Sequence, residues 1–167
     1  MLRAFERGLV AANRFVIAGL LAVMAVLVVG NVVLRYLFGT SLSWVEELTR
    51  YMMIWTAWLG AGLAFRSGTH VAVEVLQDAL PAPCRRLLRQ AILALAMLFM
   101  AVIVWLGIRY AVFAWRQHSP VLGLPLGMVY LAVPAGALLV LLHLLLAARR
   151  VVAGEAEPVA GTAPAVE

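Results

Sequence analysis

Four ionisable side chains stand close together in a chain where charge is rare: Arg35, Glu46, Glu47 and Arg50. They flank long apolar runs, and ionisable groups in such a setting are functional candidates by default. Their spacing argues first for ion pairing, within the chain or to a partner. Glu46 and Arg50 are four residues apart and Glu47 and Arg50 three, so each pair shares a helix face. Arg35 ends the preceding apolar run across a short Gly-Thr-Ser connection. An ion or substrate relay would want an acid deep inside a helix, and none of the apolar runs carries one there. His70, His118 and His143 do not recur at ligand spacing, and His70 follows a Ser-Gly break instead of facing His143 from within a span. Two histidines at matching depth on facing helices would be needed for a haem. A single cysteine, Cys84, excludes an internal disulfide and a CxxC redox pair. No Walker motif, metal-ligand set or nucleophile with a base is present, so the expectation is a protein that is not an enzyme and carries no cofactor.

A second pattern concerns packing. Ala57, Gly60, Ala61 and Ala64 share a sector of one helix at small-xxx-small spacing, which allows another helix to approach closely. Trp44, Trp55 and Trp58 lie nearby. The alternative is plain composition, since Ala and Gly are common in this Ala-rich chain.

The elements that position these residues follow from composition. The chain has 167 residues, of which 65% are hydrophobic and 13% charged, with mean hydropathy +1.02. Soluble domains run nearer 45–50% apolar and about 25% charged. One core of this size cannot hide so much apolar surface, so lipid is the solvent. The thirteen basic residues are all Arg, against eight acids, and they sit at the ends of apolar runs rather than in a basic stripe. That pattern reads as orientation in a membrane and not as nucleic-acid binding.

Four spans are predicted, over about 15–37, 44–66, 88–112 and 125–148. The first is too long for a signal-peptide core. Ser43-Trp44-Val45-Glu46 fits a capping box opening the second. The strictly apolar part of that span, Tyr51 to Phe65, is only fifteen residues, which leaves Arg50 near the hydrocarbon edge. His70, Glu74, Gln77 and Asp78 form one polar stripe, predicting a short interfacial helix between spans two and three. Pro125 opens the fourth span, and Pro134 should kink it. Residues 151–167 read as a disordered tail. With both termini cytoplasmic, nine arginines lie inside and four outside, as the positive-inside rule prefers. The fold expected is thus an all-α membrane protein of one four-helix domain (1–150), N-in and C-in.

Residues Asn31 to Val75 contain, in order, Arg35-Tyr36, Ser41-Leu42-Ser43-Trp44-Val45-Glu46-Glu47, Arg50-Tyr51, Trp55, Leu59-Gly60-Ala61 and Arg66-Ser67-Gly68-Thr69-His70-Val71. This ordered set resembles the small membrane subunit, the DctQ-type component, of tripartite ATP-independent periplasmic (TRAP) transporters. Ser119-Pro120-Val121-Leu122-Gly123-Leu124-Pro125, with Tyr130 and Pro134, is similar to that family's link into its last helix. The resemblance implies a scaffold partner in the bacterial inner membrane. A periplasmic binding protein would capture an organic acid, and a large membrane subunit would move it, driven by sodium ions that the large subunit binds. It further implies that the small and aromatic residues of the second span face the large subunit, while Arg35, Glu46, Glu47 and Arg50 brace the side where the binding protein docks. Arg66 and His70 would mark the opposite end. Two other readings stay open on the residues alone: a self-sufficient homo-oligomeric exporter, and a membrane anchor of a redox complex.

Overall fold

A computed structural model describes residues 2–66 and 81–152. The predicted interfacial helix, His70 and residues 153–167 fall outside the described residues. All regular secondary structure among the described residues is helical, apart from one isolated bridge between His118 and Pro125. The helices are α1 (Leu2–Phe38), α2 (Ser43–Arg66), α3 (Ala82–Ala114), α4 (Leu126–Tyr130) and α5 (Ala132–Val152).

Helix α1 takes in the charged head as well as the apolar run, because nothing between Leu2 and Arg14 breaks it. Its 37 residues reach about 55 Å at 1.5 Å per residue, well beyond a hydrocarbon core of about 30 Å. Gly39 ends it in the left-handed conformation, with φ of 68° and its N–H donated to the Arg35 carbonyl. This is the glycine stop that helix ends favour. Ser43 stands inside the first turn of α2 and not before it, and the predicted capping box does not form. Asn31 on α1 does related work instead: its Oδ1 accepts the Leu42 N–H at 2.8 Å, tying the connection to the helix that precedes it.

Pro81 and Pro83 sit at the start of α3, where a missing N–H costs nothing. The final apolar stretch is two helices rather than one. Pro134 cannot donate to the Tyr130 carbonyl one turn earlier, and the chain turns at Leu131 before α5 begins. Among the described residues three stretches are long and apolar enough to cross a membrane: Arg7–Phe38, Gln90–Ala114 and Leu126–Leu145. Helix α2 is not among them, since Glu46, Glu47, Arg50 and Arg66 crowd its 24 residues.

The helices form an open layer and not a closed bundle. Among the described residues α1 packs only on α2, α2 continues onto α5, and α5 onto α3, with α4 resting mainly on α3. The core lies where α2, α3 and α5 meet: Met100, Ala137 and Val140, flanked by Trp58, Ala61, Ile103 and Val104. Helix α1 remains exposed along most of its apolar length, as at Val26 and Val29.

Candidate interaction site at the connection end of the layer

The α1–α2 and α3–α4 connections emerge at the same end of the layer. Glu47, on the first turns of α2, joins them. Glu47 is buried, at 6% exposure, and its carboxylate accepts three hydrogen bonds. Oε1 takes the Tyr51 hydroxyl at 2.6 Å, and Oε2 takes the backbone N–H groups of Val121 at 3.1 Å and Leu122 at 2.8 Å. A short polar chain one helical turn before Tyr51 thereby replaces the missing backbone partners of a loop 74 residues away.

That loop is tightly built. The Ser119 N–H donates to the Leu124 carbonyl at 2.9 Å, the Gly123 N–H to the Ser119 carbonyl at 3.1 Å, and the Leu124 N–H to Ser119 Oγ at 3.1 Å. Gly123, at φ 66°, supplies the left-handed residue that closes it. Leu126 N–H donates to the Gln117 carbonyl at 2.8 Å, anchoring the base. Ser119 is buried, while Val121 and Leu124 point outward. The result is a rigid loop that presents apolar side chains, held by one carboxylate.

No ion pair joins Arg35, Glu46, Glu47 and Arg50 to one another among the described residues, which leaves pairing to a partner open. Glu47 is engaged by uncharged donors, and Arg35, Glu46 and Arg50 are exposed without a pairing partner. The physical reason is direction: Glu47 points toward the α3–α4 loop, whereas Arg50, three residues on, faces outward. Trp44 is also exposed, at the start of α2. The Arg66 side chain lies outside the described residues, as does His70.

The small-residue sector divides. Ala61 packs on the core, but Ala57 and Ala64 are exposed, and a Cβ at Gly60 would meet nothing within 4 Å. The close approach uses other glycines. A Cβ at Gly136 would stand 2.5 Å from the Trp58 carbonyl oxygen, and one at Gly62 3.5 Å from Leu139 Cβ. Gly127 plays the same part between α4 and α3, against Trp115 and the Ala111 carbonyl.

Sequence reasoning missed Asn13, Tyr51 and Ser119 as well. Asn13 is buried on α1 and donates from Nδ2 to the Leu59 carbonyl of α2 at 3.0 Å. Only the i,i+4 spacing of Glu47 and Tyr51 offered a signal. His143 is buried on α5, with Nδ1 2.7 Å from the Leu139 carbonyl and Nε2 without a partner. A carbonyl only accepts, so the proton sits on Nδ1.

Residues 24–154 match the family described as tripartite ATP-independent periplasmic transporters, DctQ component. A putative TRAP transporter small permease protein of Haemophilus influenzae is 35% identical over 147 residues, covering 84% of this chain and 87% of the relative. The C4-dicarboxylate TRAP transporter small permease protein DctQ of Rhodobacter capsulatus is 37% identical over 101 residues, 59% of this chain and 44% of the relative. The isethionate TRAP transporter permease protein DctMQ of Oleidesulfovibrio alaskensis is 26% identical over 157 residues. That match takes in 88% of this chain but 25% of the relative. The chain belongs to the DctQ family of TRAP transporter components, the small permease subunits.

Proposed function

We propose that this chain is the fixed scaffold subunit of a TRAP transporter that takes up organic acids across the bacterial inner membrane. The observation that carries the reading is the open layer. Among the described residues a one-helix-thick arrangement leaves α1 and the outer faces of α2 and α3 without protein cover, which suits a subunit that completes its packing against a larger one. The DctMQ relative supports this, because in it the matched region is one quarter of a longer permease. The C4-dicarboxylate and isethionate relatives support an organic acid as the solute of the complex. Sodium ions would bind the large subunit and not this chain, and the binding protein would dock near the Glu47-anchored loop.

In this reading α2 is a fourth crossing, short in apolar residues and completed by Arg50 and Arg66 at the two membrane edges. Both termini are then cytoplasmic. Cys84, the lone cysteine and exposed at the start of α3, reports the orientation. A membrane-impermeant maleimide should label it in inverted vesicles and not in intact spheroplasts; the reverse result overturns the N-in, C-in arrangement.

The assembly is tested by native mass after mild solubilisation, with the large membrane subunit co-expressed and then omitted. The expected result is a complex with the large subunit and loss of this chain without it. A stable homo-oligomer indifferent to the large subunit would refute the scaffold reading and favour the exporter or redox-anchor alternatives.

A further inference from the structure

Helix α1 is held in a fixed register on α2. Its shielded residues recur at intervals of three and four from Val10 to Leu34, which makes one continuous seam. Two side-chain bonds pin that seam, Asn13 to the Leu59 carbonyl and Asn31 to the Leu42 N–H. The two bonds are eighteen residues apart on α1 and seventeen apart on α2, so the helices run antiparallel without slippage.

This register places an arginine at an unusual depth. Trp58, beside Leu59 on α2, packs against Gly136, and Gly136 is at the middle of the apolar stretch Leu126–Leu145. Trp58 is also eight residues from Arg50 and eight from Arg66, the two edges assigned to α2 above. Asn13 and Arg14 therefore lie at mid-membrane depth, about 12–15 Å from either surface of the hydrocarbon core. Arg14 is exposed and pairs with no acidic side chain among the described residues. Glu6, on the same helix, is eight residues away, about 12 Å along the axis. Lipid phosphates stand at the membrane surfaces, out of reach of a side chain that snorkels from that depth. An uncompensated cation there is costly, so its counter-charge must come from protein.

The outer half of α1 has the opposite mismatch. With Asn13 opposite Leu59, Ala22 falls opposite Arg50 at the outer edge. Val26, Val29, Val32, Tyr36, Leu37 and Phe38 stand beyond that edge, all exposed. One helix thus carries charge where lipid tails lie and apolar surface where they do not.

Given the scaffold reading above, on which this rests, we propose that the large subunit covers α1 on the flank that carries Arg14. It offers a carboxylate to Arg14 at mid-depth and an apolar face to the outer half of the helix. Ala18 and Leu21, four and seven residues after Arg14, share the flank and are exposed, so a partner helix can lie along it. A guanidinium–carboxylate pair makes two parallel N–H···O bonds, a form in which such a charge is tolerated away from water.

The test uses the full chain co-purified with its large subunit. A photo-crosslinker at Leu21 leaves every charge in place and should capture the large subunit. Capture from Leu98, on the exposed face of α3, with none from Leu21 overturns the proposal. Arg14→Leu should weaken the complex about thirtyfold or more, because the partner's carboxylate is left unpaired, while Arg14→Lys should stay within about threefold. An Arg14→Glu variant that assembles as tightly as wild type overturns the proposal. So does repair of Arg14→Glu by Glu74→Arg or Asp78→Arg, because the counter-charge would then lie in this chain. If wild type forms no complex with the large subunit, the scaffold reading falls as well. If it forms one and Leu21 captures only lipid, this inference alone falls.

Discussion

Replacing Gly136 by alanine tests the closest helix contact in the layer. The added Cβ would stand 2.5 Å from the Trp58 carbonyl oxygen, 2.7 Å from its carbon and 2.8 Å from its Cβ. All three atoms belong to the backbone of α2 or are fixed directly to it, so no rotamer change relieves the contact. The shortest comfortable carbon–oxygen approach is about 3.3 Å, so α5 must withdraw from α2 by about 0.8 Å. That motion loosens the Ala137 and Val140 contacts on Trp58 and Ala61 in the core. Overpacking of this kind costs about 1–3 kcal/mol. Alanine also stabilises a helix by up to about 1 kcal/mol over glycine, so wild type is the wrong reference. The right one is Gly60→Ala on α2, whose Cβ meets nothing within 4 Å. Gly62→Ala, at 3.5 Å from Leu139, serves as a second control in ordinary contact. Reversible unfolding in mixed micelles, followed by tryptophan fluorescence, should place Gly136→Ala about 1–3 kcal/mol below Gly60→Ala, with Gly62→Ala close to the latter. If the Gly60 and Gly136 variants agree within about 0.5 kcal/mol, the close approach of α2 and α5 is wrong.

Three further outcomes follow from single contacts. Glu47→Ala removes the acceptor of the Val121 and Leu122 N–H groups, so hydrogen exchange at those two amides should accelerate while the α3 core stays protected; unchanged exchange would refute the anchoring role. Asn13→Ala deletes the bond to the Leu59 carbonyl and should cost about 0.6 kcal/mol, the average for interhelical hydrogen bonds in membranes, read in the same micelle assay. His143→Leu keeps most of the volume and removes a buried nitrogen that has no partner, so it should raise stability by about 1 kcal/mol or more; a loss would mean that Nε2 is satisfied in the native protein.

Helices α1 and α3 were legible because each contains an apolar run long enough to span, a signal that needs no partner to interpret. The break before α5 was legible as a proline effect at Pro134, but the separate short α4, with Gly127 close against Trp115, was not. The side-chain site was harder to read. Glu47 looks like an ion-pair member because Arg50 is near in sequence, yet its partners are backbone groups far along the chain that no local spacing reveals. The packing glycines show a similar limit. Gly60 and Gly62 are two residues apart, which places them about 200° apart around a helix. Composition marks both as small, and only the tertiary arrangement decides that Gly62 faces α5 while Gly60 does not. Asn31 is the polar exception in an apolar run, but its bond to Leu42 requires knowing how the next connection folds back.

The order in which the helices touch has a consequence for how the chain is made. Among the described residues the α1–α2 contact and the contacts among α3, α4 and α5 each join elements close along the chain, so two local halves can form first. The main seam that unites them is α2 on α5, with a smaller contact of α2 on α4, and it pairs residues as far apart in sequence as Trp58 and Gly136. Folding can then divide into two local packing events and one late docking step. The Glu47 carboxylate bridges the same two halves at their connection end and acts as the latch on that docking.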